Sequence, residues 1–103
     1  MGRAKYYIIK KEGIIMEELK YTQSELLNLI NQYSQTPRKI IKQNLKRILT
    51  EHNIKPRHII QLGYMPPNVY AWLAPTTNNI PMLDQALTIS VAFDFSIEEF
   101  LIN

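Results

Sequence analysis

The side chains best suited to chemistry in this sequence are the lysines and arginines of one short block. The block contains Arg38, Lys39, Lys42, Lys46, Arg47, Lys55 and Arg57, against a single acid, Glu51. Clustered ammonium and guanidinium groups attract polyanions such as chains of phosphates. The same charges also fit an ordinary solvated helix face. Charge alone therefore leaves two interpretations open, a polyanion-binding surface and a solvated surface.

The basic charge is confined to the first part of the chain. All twelve lysines and arginines lie between Arg3 and Arg57, although the formal net charge is only +3. After His58 the charged side chains are Asp84, Asp94, Glu98 and Glu99. The small net charge therefore hides a strong asymmetry, and a polyanionic partner would be attracted to the earlier part of the chain.

Catalytic and metal chemistry find little support in the sequence. The chain has no cysteine, which excludes disulfides, thiolate ligands and cysteine nucleophiles. His52 and His58 are separated by a predicted helix break, which argues against a shared metal site. No histidine accompanies an evident nucleophile, and three glycines do not form a phosphate-binding loop. We therefore expect no enzyme activity, no bound metal and no cofactor.

The length and composition indicate one compact domain in the cytoplasm. A chain of 103 residues with 46% hydrophobic content has the usual size and core content of a single domain. The apolar stretches at 6–9 and 14–16 are too short for a signal or membrane segment. Tyr6 stands where a myristoylation signal requires serine or threonine. We therefore expect no membrane association.

The basic block falls largely on one predicted helix. Thr22-x-x-Glu25 is a capping box and predicts a first helix over 23–34. Thr36-Pro37 has the pattern of an N-cap followed by proline, and predicts a second helix that ends at Glu51 or His52. Its apolar stripe consists of Ile40, Ile41, Leu45, Ile48 and Leu49. Lys39, Lys42, Gln43 and Lys46 are expected on the opposite face, toward solvent or phosphate.

Proline and glycine mark the shorter helices that follow. Pro56 begins a helix that Gly63 stops, and Pro66-Pro67 opens another that runs to Leu73. That helix should bury Val69, Trp72 and Leu73. A further helix is expected from Pro81 to about 93–95, and Ser96-x-x-Glu99 should cap the last one. Residues 1–21 are expected to form an N-terminal arm, with a short strand at 6–9 or simply as an ordered arm, and 22–103 a single helical domain.

Five segments of the sequence together resemble a known family. They are Asn44-Leu45-Lys46-Arg47-Ile48-Leu49, Leu62-Gly63, Val69-Tyr70-Ala71-Trp72, Pro81-Met82-Leu83 and Phe95-Ser96-Ile97-Glu98-Glu99-Phe100-Leu101. Over 44–101 the chain resembles the Cro-type, XRE-like phage-repressor helix-turn-helix family. The resemblance implies an all-α, lambda-repressor-like five-helix bundle with a helix-turn-helix, preceded here by an extra N-terminal helix and the arm.

The resemblance also implies which residues meet DNA. In that family the helix after the turn enters the major groove and touches base edges. Transferred by position, base contacts fall to Met65, Pro67, Asn68, Tyr70 and Ala71. Phosphate contacts fall to the loop residues Thr76 and Asn78, with added attraction from the basic side chains Lys39, Lys42, Lys46, Lys55 and Arg57. Among the base-contact positions, Asn68 has the amide suited to adenine.

Two hypotheses of function follow. The first is a sequence-specific DNA-binding transcriptional regulator, a repressor or mobile-element control protein, that binds a palindromic operator as a homodimer and excludes polymerase. The helix at 23–34 would then serve dimerisation or cover the core. The alternative is a protein-interaction module on the same fold, such as an antitoxin, an anti-repressor or an inhibitor of a nucleic-acid enzyme. It is favoured by the uncharged surface around Met65, Pro66, Pro67, Tyr70 and Pro75.

The position of the basic side chains would discriminate between the two hypotheses. A DNA-binding protein should align them with the start of the helix at Pro66, whereas an interaction module can carry them on another face.

Overall fold

The computed structural model describes the backbone of residues 3–10 and 13–22 and, from Tyr21 to Asn103, the backbone and the side chains. Its elements are β1 (Arg3–Lys10), β2 (Gly13–Thr22), α1 (Gln23–Gln35), α2 (Arg38–Glu51), α3 (Pro56–Ile60), α4 (Pro66–Leu73), α5 (Leu83–Ala92) and a C-terminal 3-10 helix (Ile97–Leu101). After Thr22 the described chain is mostly helical, which confirms the predicted class for that part. None of these helices has the length and apolar run needed to cross a membrane.

The N-terminal arm is a β-hairpin. Strands β1 and β2 pair antiparallel, with Tyr7 opposite Met16 and Ile8 opposite Ile15. Aromatic and β-branched residues are frequent in both strands and favour extended backbone. The single short strand expected at 6–9 lies inside β1, so sequence analysis found half of the hairpin and missed its partner strand. Residues 11 and 12 lie outside the described part.

Helices α1 and α2 lie close to their predicted positions, but the signal between them was misassigned. The Thr22 hydroxyl accepts from the backbone N–H of Glu25, and the Glu25 carboxylate accepts from that of Thr22, which confirms the capping box. Thr36, expected to cap α2, instead donates its hydroxyl to the Gln32 carbonyl at the end of α1. Pro37 precedes α2 without any side-chain cap. A threonine can close one helix or open the next, and here it closes α1.

The next two helices are short, and proline and glycine residues mark their ends. Helix α3 ends at Ile60, two residues earlier than expected, and Gly63 follows with a φ of 111°. Helix α4 has the predicted bounds, since Pro66 and Pro67 occupy its first turn, where their missing N–H groups cost nothing. Asn53, which follows α2, has the left-handed conformation expected of a helix terminator (φ 53°).

Helix α5 and the C-terminal 3-10 helix close the chain over the core. Helix α5 begins at Leu83, two residues after the expected start, because Met82 is its N-cap residue and donates its backbone N–H to the Gln85 side chain. The Ser96 hydroxyl accepts from the backbone N–H of Glu98, so serine caps the last helix as predicted. The Glu99 carboxylate does not complete a capping box; it faces Arg47 and His52 instead.

The core lies between α2 and the elements that follow it. The stripe of α2 is buried as predicted at Ile41, Leu45 and Ile48, which are fully inaccessible to solvent. The other fully or almost fully buried apolar residues are Ile59, Val69, Ala86, Leu87, Ile89, Ile97 and Phe100. Each such aliphatic or aromatic side chain contributes about 1.5–3 kcal/mol by leaving water. Packing around α2 therefore fixes where its polar face lies relative to α4.

Candidate nucleic-acid interface

Lys42 is buried, although it was expected at the surface. It lies on the polar side of α2 but is only 9% exposed. Its ammonium donates to the backbone carbonyls of Ala71 at 2.8 Å, Trp72 at 2.9 Å and Asn79 at 3.0 Å, and to the Thr77 hydroxyl at 3.2 Å. Burial, helped by the nearby Lys46 charge, lowers the Lys42 pKa below its ordinary value.

The reason for this burial lies at the end of α4. The last carbonyls of a helix have no partner within the helix. The carbonyl of Ala71 would normally meet the N–H of residue 75, which is a proline and has none. The Lys42 ammonium and the Thr77 hydroxyl, which lies 2.6 Å from the Ala71 carbonyl, replace that donor. The expectation that Lys42 contacts phosphate is therefore corrected, because its donors are used inside the protein.

Two arginines of the basic block are also engaged. Arg47 donates to the Glu51 carboxylate at 2.6 Å and, at 2.8 Å, to the backbone carbonyl of Glu99. Its charge is therefore balanced by acids on the side of the C-terminal 3-10 helix. Arg38 donates to the backbone carbonyl of Asn78 at 3.1 Å, which ties the α4–α5 loop to the start of α2. The free basic charge of the block is smaller than its sequence suggests.

The remaining lysines border two neighbouring grooves. The first, the basic groove, has a volume of about 270 Å³ and is lined by Lys39, Lys42, Gln43, Lys46, Leu73, Pro75, Thr77 and Asn78. The second has a volume of about 470 Å³ and is lined by Lys46, Leu49, Thr50, Asn53, Ile54, Lys55, Pro56 and Leu73. Lys46 and Leu73 belong to both grooves, so the two are adjacent.

Lys39, Lys46 and Lys55 therefore lie along one continuous surface, which we call the basic surface. All three are exposed, and none forms an ion pair within residues 21–103. The surface surrounds Leu73, the last residue of α4, and neither groove includes a residue from the first turn of that helix. The lysines thus lie beside the end of α4, whereas the sequence argument for DNA binding expected them beside its start.

Most predicted base-contact residues are exposed on α4 or just before it. Met65 is 63% and Tyr70 56% exposed, and Pro67 and Asn68 are also exposed. Ala71 is half-buried. The side-chain amide of Asn68 has no hydrogen-bond partner within residues 21–103, and α4 has no side-chain cap. The amide is therefore available to a partner molecule. Val69 and Trp72 are buried, as the sequence predicted, whereas Leu73, predicted to face inward with them, is half-buried and lines both grooves.

The chain was compared with family models, curated proteins and solved structures. None matches it significantly.

The other predicted phosphate-contact residues are less closely grouped. Asn78 lines the basic groove, and Thr76 is exposed in the same loop. Arg57 is exposed on α3 but lines neither groove. The structure thus brings Lys39, Lys46, Lys55 and Asn78 together and leaves Arg57 and Thr76 at their margins.

Both histidines have structural contacts. The His58 Nδ1 atom accepts from the backbone N–H of Lys55 at 2.9 Å and so caps the start of α3. His52 stacks on Phe95, with ring centroids 5.1 Å apart, and its Nε2 lies 3.4 Å from the Glu99 carboxylate. No group of three or more potential metal ligands occurs in the described part of the chain.

Sequence reasoning missed the inward-facing polar side chains. Asn44 is buried and donates from its amide to the carbonyls of Phe100 and Ile102, both at 2.7 Å, which fixes the C-terminal 3-10 helix to α2. Lys42 and Asn44 flank the apolar stripe of their helix. One signal in the sequence could have suggested the Lys42 contact. Pro75, four residues after Ala71, cannot donate to the Ala71 carbonyl, so a donor from another part of the chain is needed there.

Proposed function

We propose that this protein is a DNA-binding transcriptional regulator that acts in the cytoplasm. The observation that carries the proposal is the basic surface, three exposed lysines that form no ion pair within residues 21–103 and lie beside α4, around its end and not around its start as the sequence argument expected. Each lysine that meets a phosphate releases a condensed counterion, which provides affinity that does not depend on sequence. The basic surface is suited to this role because its three lysines are not neutralised by acids within residues 21–103. Arg47, in contrast, is paired with Glu51 and Glu99.

In the proposed complex, α3 and α4 act as the helix-turn-helix, with α4 in the major groove. The basic surface and the loop residue Asn78 would lie on the phosphate backbone beside the end of α4. Asn68, whose amide is free, would pair with adenine, and Met65 and Tyr70 would contact bases by their apolar surfaces. A homodimer on a two-fold symmetric operator would repress by excluding polymerase from the promoter.

The proposal is tested by titrating the protein against DNA from upstream of its own gene and against a shuffled fragment of the same composition. Both titrations are run at low and at physiological salt. We expect a preference for the upstream fragment that persists at physiological salt. Asn68→Ala should lower that preference by about 1–3 kcal/mol, because alanine cannot form the bidentate pair with adenine.

A lysine variant separates electrostatic affinity for any DNA from preference for one DNA sequence. In Lys39→Gln/Lys46→Gln/Lys55→Gln, both fragments should bind more weakly, and the dependence of log K on log salt should become shallower by about 0.9 for each phosphate that is no longer neutralised. Arg57→Gln, which changes one charge outside both grooves, is the control for net charge. Equal binding of both fragments that disappears at physiological salt would reject the regulator.

A second function is favoured by two observations, the position of the lysines beside the end of α4 and the uncharged exposed face of the same helix. That face presents Met65, Pro66, Pro67 and Tyr70 without any charged side chain, a composition closer to a protein interface than to most DNA-reading helices. A protein-interaction module would bind its partner there, and its lysines would serve solubility or steering. It predicts that Tyr70→Ser abolishes partner binding while leaving any weak DNA binding unchanged.

A further inference from the structure

The basic groove is lined by both charged and apolar side chains. Lys39 and Lys46 are seven residues apart on α2, which separates their backbones by about 10 Å, or two helical turns. Leu73 and Pro75 supply apolar surface between α2 and the α4–α5 loop. The amides of Gln43 and Asn78 add groups that can donate or accept hydrogen bonds. The groove therefore combines two cations, two amides and an apolar contact.

The walls of this groove are held in place by internal hydrogen bonds. Lys42 binds the end of α4 through the carbonyls of Ala71 and Trp72, and binds the following loop at Asn79. Arg38 binds the same loop at the Asn78 carbonyl. The loop is thus tied to α2 at two points, one on each side of Lys39 along the helix. A ligand entering the groove would not have to order the loop, which lowers the entropic cost of binding.

The ligand that fits these walls has a compact negative charge and an uncharged body. Lys39 and Lys46 have no carboxylate partner within residues 21–103, so an anion would supply their missing counter-charge. The volume of about 270 Å³ is near the lower end of the range for small-molecule sites. Leu73 and Pro75 would pack against the body, and the two amides would bind its polar edge.

We propose that the basic groove binds a phosphate ester, with the phosphate between Lys39 and Lys46 and the uncharged part on Leu73 and Pro75. This goes beyond DNA binding, because the same chemistry is available in a free nucleotide and in one nucleotide of a nucleic-acid strand. A free nucleotide would occupy lysines that the proposed DNA complex also uses. It would therefore compete with DNA.

The test is a titration of the full-length protein, followed by the backbone amide signals in ¹H–¹⁵N NMR spectra. The probes are adenosine 5′-monophosphate, adenosine, inorganic phosphate and a short DNA duplex. We expect the nucleotide to shift signals at Gln43, Leu73 and Asn78, adenosine to shift none, and inorganic phosphate to bind more weakly than the nucleotide. Binding by neither the nucleotide nor the duplex at these residues would overturn the proposal.

Three single variants make the test specific for the groove. Lys39→Gln and Lys46→Gln should each weaken nucleotide binding by about threefold, and by on the order of tenfold when combined. Arg57→Gln removes one charge at an exposed position that lines neither groove and should change binding much less, since salt screens distant charges. All three side chains are exposed, so the variants should fold, and their dispersed spectra would show it. Equal weakening in all three single variants would mean that nucleotide binding depends only on overall charge, and would overturn the proposal.

The outcomes also separate this proposal from the regulator. Nucleotide binding in the groove without DNA binding would support the site and reject the regulator. If the DNA duplex shifts the amide signals of groove residues and the nucleotide does not, the groove binds a phosphate ester only as part of a DNA strand. That result would support the site. Duplex shifts confined to α4, with none in the groove, would overturn the groove and leave the regulator standing.

Discussion

The exposed sides of α2 and α4 differ in the kind of force they can exert on a partner. Both helices bury an apolar stripe, but α2 exposes Lys39 and Lys46, whereas α4 carries no charged residue between Pro66 and Leu73. Charge acts over about 8 Å at physiological salt and is indifferent to sequence, whereas apolar and amide contacts act at touching distance. The charge of α2 and the uncharged contacts of α4 can therefore be altered independently of each other.

Lys42 is the link between these two regions. It lies on α2 between Lys39 and Lys46, yet its ammonium binds the end of α4 and the loop beyond it. The three lysines share one side of α2, but only the Lys42 ammonium, among these three, binds the carbonyls at the end of α4. A lysine in such a position acts as a helix cap instead of a free charge.

The largest expected effect comes from breaking this link. Lys42→Met keeps the length and the apolar stem of the side chain but removes its ammonium. The carbonyls of Trp72 and Asn79 then lose this donor, whereas the Ala71 carbonyl keeps the Thr77 hydroxyl, and each buried polar group left unpaired costs about 1–3 kcal/mol. Because the variant also spares the cost of burying a charge, we expect a net decrease of about 2–3 kcal/mol in the free energy of unfolding, measured in urea.

The control for that variant is Lys39→Met, one turn earlier and exposed. It should change the free energy of unfolding by less than about 0.5 kcal/mol. Similar losses of unfolding free energy in the two variants would mean that the hydrogen bonds of Lys42 do not stabilise the protein. The proposed link between α2 and α4 would then be wrong.

The second effect concerns the turn that orients α4. Gly63 has a φ of 111°, and a Cβ added there would meet nothing within 4 Å. Gly63→Ala should therefore act through backbone conformation alone and destabilise the protein by about 1–2 kcal/mol. Gln61→Ala, at an exposed position two residues earlier, is the control and should be close to neutral in thermal unfolding. A neutral Gly63→Ala would show that the turn relaxes without cost.

Local rules accounted for most helix positions in this chain. The capping box at Thr22 and the prolines at 66 and 67 fix α1 and α4 through groups only a few residues apart, which a sequence displays directly. The period of the α2 stripe correctly identified Ile41, Leu45 and Ile48 as core. The error at Thr36 arose because a threonine can close α1 or open α2. At Pro81 the predicted start of α5 was two residues too early.

The site was less predictable because its decisive contacts join distant residues. Lys42 reaches residues 71–79, and Asn44 reaches the carbonyls of Phe100 and Ile102. The residues adjacent to Lys42 in sequence do not distinguish it from Lys46. Both lysines were therefore predicted to contact phosphate. The same reasoning identified the exposed face of α4 correctly, because there burial follows directly from the period of Val69 and Trp72.

A smaller effect is expected where the far end of the α4–α5 loop is anchored. The Tyr33 hydroxyl donates to the Pro81 carbonyl at 2.5 Å. Tyr33→Phe should cost about 1 kcal/mol at neutral pH. Lys42 and Arg38 anchor the near end, so this variant should leave the basic groove intact, and its nucleotide response should match that of the parent protein.

The same variant has a signature in pH. Burial, opposed by Arg38 and helped by Asp84, raises the pKa of Tyr33 well above its usual value of about 10. The stabilisation is therefore complete below about pH 10 and is lost as the pH rises through the folded-state pKa, because the unfolded chain ionises first. The difference in unfolding free energy between parent and Tyr33→Phe should shrink from about pH 10 upward. A constant difference would contradict the burial of this hydroxyl.

The smallest effect is expected on the exposed face of α4, and it bears most directly on the comparison. Tyr70 is 56% exposed, whereas Trp72, two residues later on the same helix, is 4% exposed. Tyr70→Ser should change the free energy of unfolding by less than about 0.5 kcal/mol, as expected for a substitution at an exposed position away from the core. If Tyr70→Ser cost as much as a core substitution, the α4 face would be packing surface within the protein, and only the lysines of α2 would remain to meet a partner.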